Sequence, residues 1–161
     1  MQPEHHSHEF APVFDHASTR LILGSFPSVK SREQGFYYGH PKNRFWKVLA
    51  ALFSAEVPET VAGKKEFLLA HHLAVWDVIE SCTITGSSDS SIRDVMPNDI
   101  EGLLRKTQIK YIYANGKTAE RLYLKYIGAQ VAPVTVLPST SPANAAYSLE
   151  HLIECWKPLL K

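Results

Sequence analysis

The chain has 161 residues, 45% of them hydrophobic, and carries a net charge of +1 at neutral pH. This composition suits one compact domain, and because the sequence has no run of about 18 uninterrupted apolar residues, no membrane-spanning helix is expected. The total charge is too small to indicate a nucleic-acid partner by itself, so such a role must come from a local patch.

The start of the chain lacks the basic and apolar segments of a secretory signal, so we expect a cytoplasmic protein. Residues 1–19 are predicted to be a polar lead-in, and residues 20–161 to form the single domain. Cys82 and Cys155 are too few for a four-ligand metal site, and a cytosolic chain normally keeps such thiols reduced. Histidines of the lead-in could bind a metal, but a mobile, solvated tail is the simpler interpretation. They are His5, His6 and His8.

Short apolar runs alternate with helical patterns along the domain. Strands are predicted at residues 20–23, 73–79, 109–113 and 134–137. Helices are predicted at residues 43–53, 64–71, 99–106, after Gly116, and from a cap at Ser141 with Pro142 in the first turn. Residues 83–91 are predicted to be a loop, and Asn98 followed by Glu101 resembles a capping box. The alternation predicts an α/β fold with a parallel sheet covered by helices on both faces.

Ligands of such folds bind where the strands end, because right-handed crossovers bring the carboxyl ends to one edge of the sheet. Here those ends are residues 24–28, Asp77, residues 115–116 and residues 137–142. Asp77 and Asp89 are carboxylates near these ends, and solvated or capping roles are their simpler interpretation.

The loop behind the first strand holds residue types that suit a flat ligand with a charged backbone. Gly24 allows close approach of the main chain, and Tyr38 can stack on a base. The N–H groups around Ser25 and Phe26 can hold an oxygen of that base. The alternative is an ordinary strand–turn–helix connection, in which Tyr38 packs in the core and Asn43 caps the helix.

Five basic residues lie between positions 30 and 47 and are opposed only by Glu33. Such a patch can pair with phosphates on a near-neutral protein, although a solvated loop and helix face would look the same. The five are Lys30, Arg32, Lys42, Arg44 and Lys47.

Two motifs in the chain resemble those of the uracil-DNA glycosylase superfamily. Residues 21–49 resemble its first motif, and within them residues 40–48 are similar to the mismatch-specific uracil/thymine glycosylases. The Gly-Ser-Phe-Pro-Ser variant at 24–28, followed by the tyrosines 37–38, resembles the hypoxanthine-DNA glycosylase branch, often called family 6. Residues 137–144 resemble the short second motif.

The resemblance implies a single three-layer α/β domain with a central parallel sheet of four strands flanked by helices. It implies a monofunctional DNA glycosylase of base-excision repair that uses no cofactor and no metal. Its partner would be DNA containing deaminated bases, chiefly hypoxanthine, and the target nucleotide would be turned out of the duplex into a pocket. We expect a monomer that does not associate with membranes.

The resemblance also assigns roles to residues. It gives catalysis to Asn43 and stacking on the flipped base to Tyr38. An amide is a poor general base, but its carbonyl can orient water and its NH₂ can bond an acceptor of the base. Further base contacts are expected from Gly24, Ser25, Phe26 and Asn115, although Asn115 could equally form a plain Asn-Gly turn. Phosphate contacts are expected from Ser28, Lys42, Arg44, Ser139 and Ser141.

The chain departs from related branches in three respects. Phe26 stands where the mismatch-specific enzymes have a catalytic Asn, and the water-activating Asp of the best-known uracil branch is absent; the hypoxanthine branch resembles this chain in both respects. Thr140 and Ser141 lie where other branches supply a Leu wedge. His40 could protonate a purine nitrogen, or it could be a turn histidine bonded to the backbone.

Other functions remain open from the sequence. A uracil or thymine mismatch glycosylase is the nearest alternative. A non-catalytic binder of nucleotides or damaged DNA would share the basic patch and the aromatic loop. A small-molecule hydrolase or nucleotide-binding α/β protein is less favoured, because neither common glycine-rich phosphate motif is present.

Overall fold

The structure is a computed structural model that describes residues 2–7 and 10–161. In chain order its strands are β1 (Glu4–Ser7), β2 (Arg20–Gly24), β3 (Leu73–Asp77), β4 (Ile79–Ile84), β5 (Arg93–Pro97), β6 (Tyr111–Asn115) and β7 (Val134–Leu137). Its helices are α1 (Val29–Gln34), α2 (Phe45–Leu52), α3 (Val61–Ala70), α4 (Ile100–Arg105), α5 (Lys117–Tyr126) and α6 (Leu149–Trp156). Short 3₁₀ turns lie at Asp89–Ser91 and Lys157–Leu160.

A four-stranded sheet in the order β3-β2-β6-β7 forms the centre of the fold, and all its strand pairs are parallel. Strand β2 lies between β3 and β6, and its residues from Leu21 to Gly24 are all buried, as expected of a parallel strand covered on both faces. The predicted α/β class with a central parallel sheet of four strands is therefore confirmed.

Helices cover both faces of this sheet. Alternate residues of β2 point to opposite faces, so Ile22 joins one core cluster while Leu21 and Leu23 join the other, each without solvent exposure. The Ile22 side is covered by α2, α3 and α6, and the other side by α4 and α5. The result is the expected three-layer arrangement.

A second, antiparallel sheet in the order β1-β4-β5 lies beside the first and was not predicted. The predicted strand 73–79 is in fact β3 followed by β4, and β4 extends into the predicted loop as far as Ile84. The solvated-tail prediction is wrong for β1, which pairs with β4, and for the buried Val13, which bridges to Val75. Strand β1 is polar and mostly exposed, so its sequence has no alternation of hydrophobic and polar residues, and only backbone pairing defines it. His8 lies outside the described residues.

Two predicted helix caps are wrong, and in each case a nearby residue takes the position. The last helix is capped by Ser148, whose hydroxyl accepts from His151 N, so the chain around Ser141 stays non-helical. Helix α4 is capped by Asp99, which accepts from Gly102 N. Asn98 is buried instead and donates through Nδ2 to the carbonyls of Asp77 and Ile79, at 2.9 and 3.1 Å.

Replacing Asn98 with alanine should lower the free energy of unfolding by about 2–4 kcal/mol, because two buried carbonyls would lose their donor. Removing the real cap with Asp99→Ala should cost only about 1 kcal/mol. Urea unfolding of both variants measures these costs. A smaller loss for Asn98→Ala than for Asp99→Ala would contradict this assignment.

No helix in the described ranges combines the length and apolar character needed to cross a membrane. Cys82 and Cys155 are free thiols.

Candidate active site

A cavity of about 400 Å³ opens at the carboxyl ends of the parallel strands. Each of the four strands contributes to its lining: Gly24 at the end of β2, Asp77 at the end of β3, Asn115 at the end of β6 and Thr140 after β7. The predicted meeting of the strand ends is confirmed. The volume lies in the range of roughly 300–1,000 Å³ that is usual for small-ligand sites.

Asn43 lies at this cavity with its carboxamide in a defined orientation. Its Oδ1 accepts a hydrogen bond of 2.9 Å from Phe45 N, at the first residue of α2. Because a backbone N–H can only donate, this contact identifies the oxygen and leaves Nδ2 on the other side of the amide. Asn43 therefore lines the cavity and accepts from the first N–H of α2, but the predicted N-cap position is wrong, because the N-cap residue of α2 is Arg44.

A hydrogen-bonded chain of side chains fixes the amide further. The Thr140 hydroxyl donates to Asn43 Oδ1 at 2.8 Å and accepts from Asn115 Nδ2 at 3.0 Å. Asn115 Oδ1 in turn accepts from Thr140 N. With two donors on Asn43 Oδ1, the oxygen is a poor water acceptor, and the NH₂ group is what Asn43 can offer to a ligand.

Tyr38 lines the same cavity. One face of its ring stacks on Phe45, with centroids 3.9 Å apart and planes 16° apart, so the cavity can use only the opposite face or the edge. Its φ of 53° is rare for a bulky residue and is typical of strain held at functional sites. Burial, followed by the charge of Asp77, raises the pKa of the Tyr38 hydroxyl, which lies near the Asn115 amide without a well-formed hydrogen bond.

Gly24 is required by close packing at the cavity floor. A Cβ at this position would lie 2.4 Å from Asp77 Oδ1 and 3.0 Å from Tyr38 Oη. Both oxygens therefore converge above the Gly24 main chain. Asp77 is 3% exposed, so the predicted solvated role for this carboxylate is wrong.

The loop between β4 and β5 supplies the outer wall of the cavity. Its Asp89 lines the cavity and accepts a hydrogen bond of 3.4 Å from the Ser25 hydroxyl. Desolvation by neighbouring groups raises the pKa of the Asp89 carboxyl although the residue is exposed overall, and the Ser25 hydrogen bond opposes this. Phe26 also lines the cavity and is 9% exposed.

Three of the predicted phosphate ligands border the cavity. Ser28 caps α1 through its hydroxyl, and Ser139 and Ser141 accept from the backbone N–H groups of Ser141 and Ala143. Their hydroxyls are thus oriented by local turns. Their phosphate contacts stay predictions, as does that of the exposed Lys42.

The prediction for Arg44 requires a correction. Its guanidinium donates to the backbone carbonyls of Tyr147, Ser141 and Asn144, and its backbone N–H donates to Thr140 O. Arg44 therefore holds the segment after β7 against α2 and belongs to the support of the site. Charge alone could not distinguish this internal use from a phosphate contact.

Arg44→Lys should lower the free energy of unfolding by about 1–3 kcal/mol, because an ammonium group cannot reproduce a fork to several carbonyls. The salt dependence of DNA binding should be unchanged in this variant.

By contrast, Lys42→Ala should reduce the slope of the logarithm of DNA affinity against the logarithm of salt concentration by about one unit. Thermal unfolding and binding titrations over a salt series test both, and a smaller slope for Arg44→Lys with normal stability would reverse the two assignments.

The rest of the predicted basic patch is also partly engaged. Lys30 pairs with Glu33 at 3.4 Å, and Arg32 donates to Gly86 O. His40 Nδ1 accepts from Lys42 N at 3.0 Å, which confirms the turn interpretation of this histidine.

The sequence placed Thr140 only in the stretch where other branches supply a wedge, and it did not reveal that Thr140 links residues of the site. Its hydroxyl is fully buried and links Asn43 to Asn115, residues contributed by different parts of the chain. The available signal was its place in the segment at 137–142 that follows the last predicted strand.

Comparison with known proteins agrees with this geometry. Residues 11–160 match the family model of the uracil DNA glycosylase superfamily. The chain is 34% identical to a hypoxanthine DNA glycosylase of Methanosarcina acetivorans over 94% of this chain and 96% of that protein. It is 31% identical to a hypoxanthine DNA glycosylase of Methanosarcina barkeri over 84% of this chain and 86% of that protein.

A solved structure is similar as well. It is the solution NMR structure of a Methanosarcina acetivorans protein described as a candidate uracil DNA glycosylase, with a TM-score of 0.78 and 30% identity. The match covers 94% of this chain and 97% of that one. Taken with the strand order and the two motifs at the cavity, these matches show that the chain belongs to the uracil DNA glycosylase superfamily.

Proposed function

We propose that this protein is a monofunctional DNA glycosylase that hydrolyses the N-glycosidic bond of deaminated bases in DNA, chiefly hypoxanthine. The observation that carries the proposal is the fixed carboxamide of Asn43, a residue that lines a base-sized cavity together with Tyr38 and whose oxygen is already bonded to Phe45 N and Thr140. The names of the two Methanosarcina relatives support hypoxanthine as the main substrate.

The reaction breaks the bond between C1′ of the sugar and N9 of the purine. The electron pair leaves with the base, the sugar becomes cationic, and a water molecule then bonds to C1′ and loses a proton. A donor aimed at the departing base stabilises its negative charge, and one such donor contributes about 3–4 kcal/mol in well-studied hydrolases. Asn43 Nδ2 is this donor in our proposal, with the backbone N–H groups of Ser25 and Phe26 as further donors.

Aromatic contacts hold the extruded base in position. Tyr38 and Phe26 both line the cavity, and stacking of a base on an aromatic ring contributes about 1–3 kcal/mol. Extrusion from the duplex costs a few kcal/mol and costs least at a mispaired base. Stacking offsets part of this cost for any base, so a preference for damaged positions comes from their lower extrusion cost.

The DNA backbone would cross the rim of the cavity. Ser28, Ser139 and Ser141 present hydroxyl groups there, and Lys42 adds an exposed cation. We assign backbone contacts to these residues and leave Arg44 out of the set.

Incision of a panel of duplex oligonucleotides tests the proposal. Each duplex carries hypoxanthine, xanthine, uracil or mispaired thymine, and alkali-labile sites are measured with enzyme in excess. We expect the fastest release for hypoxanthine. Release of uracil alone would favour the uracil-specific alternative, and retardation of damaged DNA on a gel without any abasic product would identify a non-catalytic binder.

A further inference from the structure

The proposed reaction leaves one proton without an assigned acceptor. The water that bonds to C1′ of the sugar must lose a proton, and a positioned base accelerates such a step by about 10²–10⁴-fold. Asn43 does not serve, because an amide is a poor base and its oxygen already accepts from Phe45 N and Thr140. The titratable groups that line the cavity are then the candidates.

Four side chains of the described cavity lining can titrate, two tyrosines and two carboxylates. Burial raises the pKa of the Tyr37 and Tyr38 hydroxyls above the usual value of about 10, so neither is ionised to accept a proton. Asp77 is 3% exposed and lies at the floor, where a Cβ on Gly24 would come within 2.4 Å of its Oδ1. Asp89 is exposed and belongs to the outer wall. The two carboxylates therefore lie at different depths of one cavity.

The depth of Asp89 matches the expected place of the sugar. An extruded base enters the cavity first and fills its floor, while its sugar stays joined to the DNA backbone outside. The C1′ atom and the attacking water consequently lie near the mouth. Asp89 also lines a neighbouring cavity of about 560 Å³, so solvent has access to this residue from a second side.

Asp89 and Asn43 approach the cavity from opposite faces of the central sheet. Asn43 directly precedes the start of α2, which covers the Ile22 face. Asp89 interacts with Thr118 and Arg121 of α5, which covers the other face. While the departing base is held on the Asn43 side, water reaches C1′ from the side away from it. The Asp89 carboxylate lies on that open side.

Hydrogen bonds fix the loop that carries Asp89. The backbone N–H of Val29 donates to the Ser87 hydroxyl at 2.8 Å. The Arg32 guanidinium donates to the Gly86 carbonyl at 3.0 Å. Both contacts tie the loop to α1, directly behind the cavity. A group that is held in place before the reaction needs no reorganisation during it.

The charge of Asp89 opposes DNA binding at this rim. The phosphates of DNA are negative and are repelled by a carboxylate. The neighbouring cavity-lining side chains of the loop are neutral hydroxyls, those of Ser87, Ser88 and Ser90. A negative charge among them therefore favours a role in the chemistry of the sugar over a role in holding the DNA backbone.

The surroundings of Asp89 also strengthen it as a base. Desolvation raises the pKa of its carboxyl, and the charge of Asp77 raises it further. The hydrogen bonds from Ser25 and Thr118 and the charge of Arg121 oppose this increase. A carboxylate whose pKa is raised toward the working pH is a better proton acceptor.

We propose that the ionised carboxylate of Asp89 accepts the proton of the water that bonds to C1′. This inference rests on the proposed function and names the general base of that reaction. A lone pair of the water oxygen forms the bond to C1′, and one water proton passes to the carboxylate. The base has already left with the electron pair of the glycosidic bond and takes up a proton from solvent. The Asp89 carboxyl then releases its own proton to solvent.

Asp89→Asn tests the role, because it removes the proton acceptor and keeps an oxygen that can accept from Ser25. We expect the single-turnover rate of hypoxanthine release to fall by about 100-fold or more. Affinity for the damaged duplex should stay the same or increase, because a negative charge leaves the rim. Asp94→Asn makes the same change at an exposed residue of β5 and should match the wild type. Thermal unfolding shows that each variant is folded.

The dependence of the rate on pH tests the same group in the wild type. The single-turnover rate should fall as the pH drops through the pKa of Asp89, because a protonated carboxyl cannot accept the proton. Since that pKa is raised, the fall should begin at a higher pH than for an ordinary aspartate, whose pKa is about 3.9. The residual rate of Asp89→Asn should lose this fall.

Three results would overturn the inference and leave the proposed function intact. They are an Asp89→Asn rate close to that of the wild type, the same fall with pH in both proteins, and weaker DNA binding by Asp89→Asn with an unchanged saturating rate. Failure of the wild type to release any base of the panel would overturn the proposed function itself.

Discussion

Asn43→Ala should lower the single-turnover rate of hypoxanthine release by about 10²–10³-fold, the effect of losing one preorganised donor in well-studied hydrolases. Affinity for damaged duplex DNA should stay close to that of the wild type, because the backbone contacts lie elsewhere on the rim. Rapid-quench kinetics and fluorescence anisotropy measure the two quantities separately.

Asn43→Asp is the sharper companion variant. It keeps the oxygen that accepts from Phe45 N and Thr140 and replaces only the NH₂ group. If the donor carries the effect, this variant should be as slow as Asn43→Ala. Rates near the wild type in Asn43→Asp would instead mean that the carbonyl oxygen orients water, and the role of the NH₂ group would have to be abandoned.

Much of the central fold follows from patterns that the sequence displays. The run at residues 20–23 is apolar throughout because β2 is buried on both faces, and its end at Gly24 marks the edge where the cavity forms. The antiparallel sheet has no such pattern. In β1 the side chains are polar and mostly exposed, so only pairing with β4 defines it, and pairing between distant segments leaves little local signal.

The starts of helices show a second reason why local sequence signals do not settle the fold. Both Ser141 and Ser148 precede apolar residues, and a serine is an equally good cap at either place. The structure uses Ser148, while the earlier segment is held by Arg44 in a non-helical path along the cavity. A contact between distant segments decided between two local signals of the same strength.

The residues of the site also fall into those that the sequence indicated and those that it did not. The resemblance to the first superfamily motif pointed to Asn43 and Tyr38, and both line the cavity together with Gly24. Thr140 was not predictable, because its hydrogen bond to Asn43 joins residues 97 positions apart. Asp77 was visible at a strand end, but its burial, at 3% exposure, was not.

Thr140→Val should lower the rate of base release by about 10- to 100-fold, although no atom of Thr140 needs to touch the substrate. Valine has the same shape and lacks the hydroxyl that donates to Asn43 and accepts from Asn115. The Asn43 amide would then be held by Phe45 N alone, and small misplacements of a catalytic group can cost about 100-fold. The fit of rate against substrate concentration should assign the loss to the saturating rate.

A double-mutant cycle separates this positioning role from a general loss of stability. In the Asn43→Ala background, Thr140→Val should change the rate little, because residues that act as a unit give non-additive effects. Thr135→Val, the same change at an exposed site on β7, serves as the matched control and should match the wild type. Equal losses from Thr140→Val in both backgrounds would show that Thr140 acts independently of Asn43, and the fixed carboxamide would lose its structural basis.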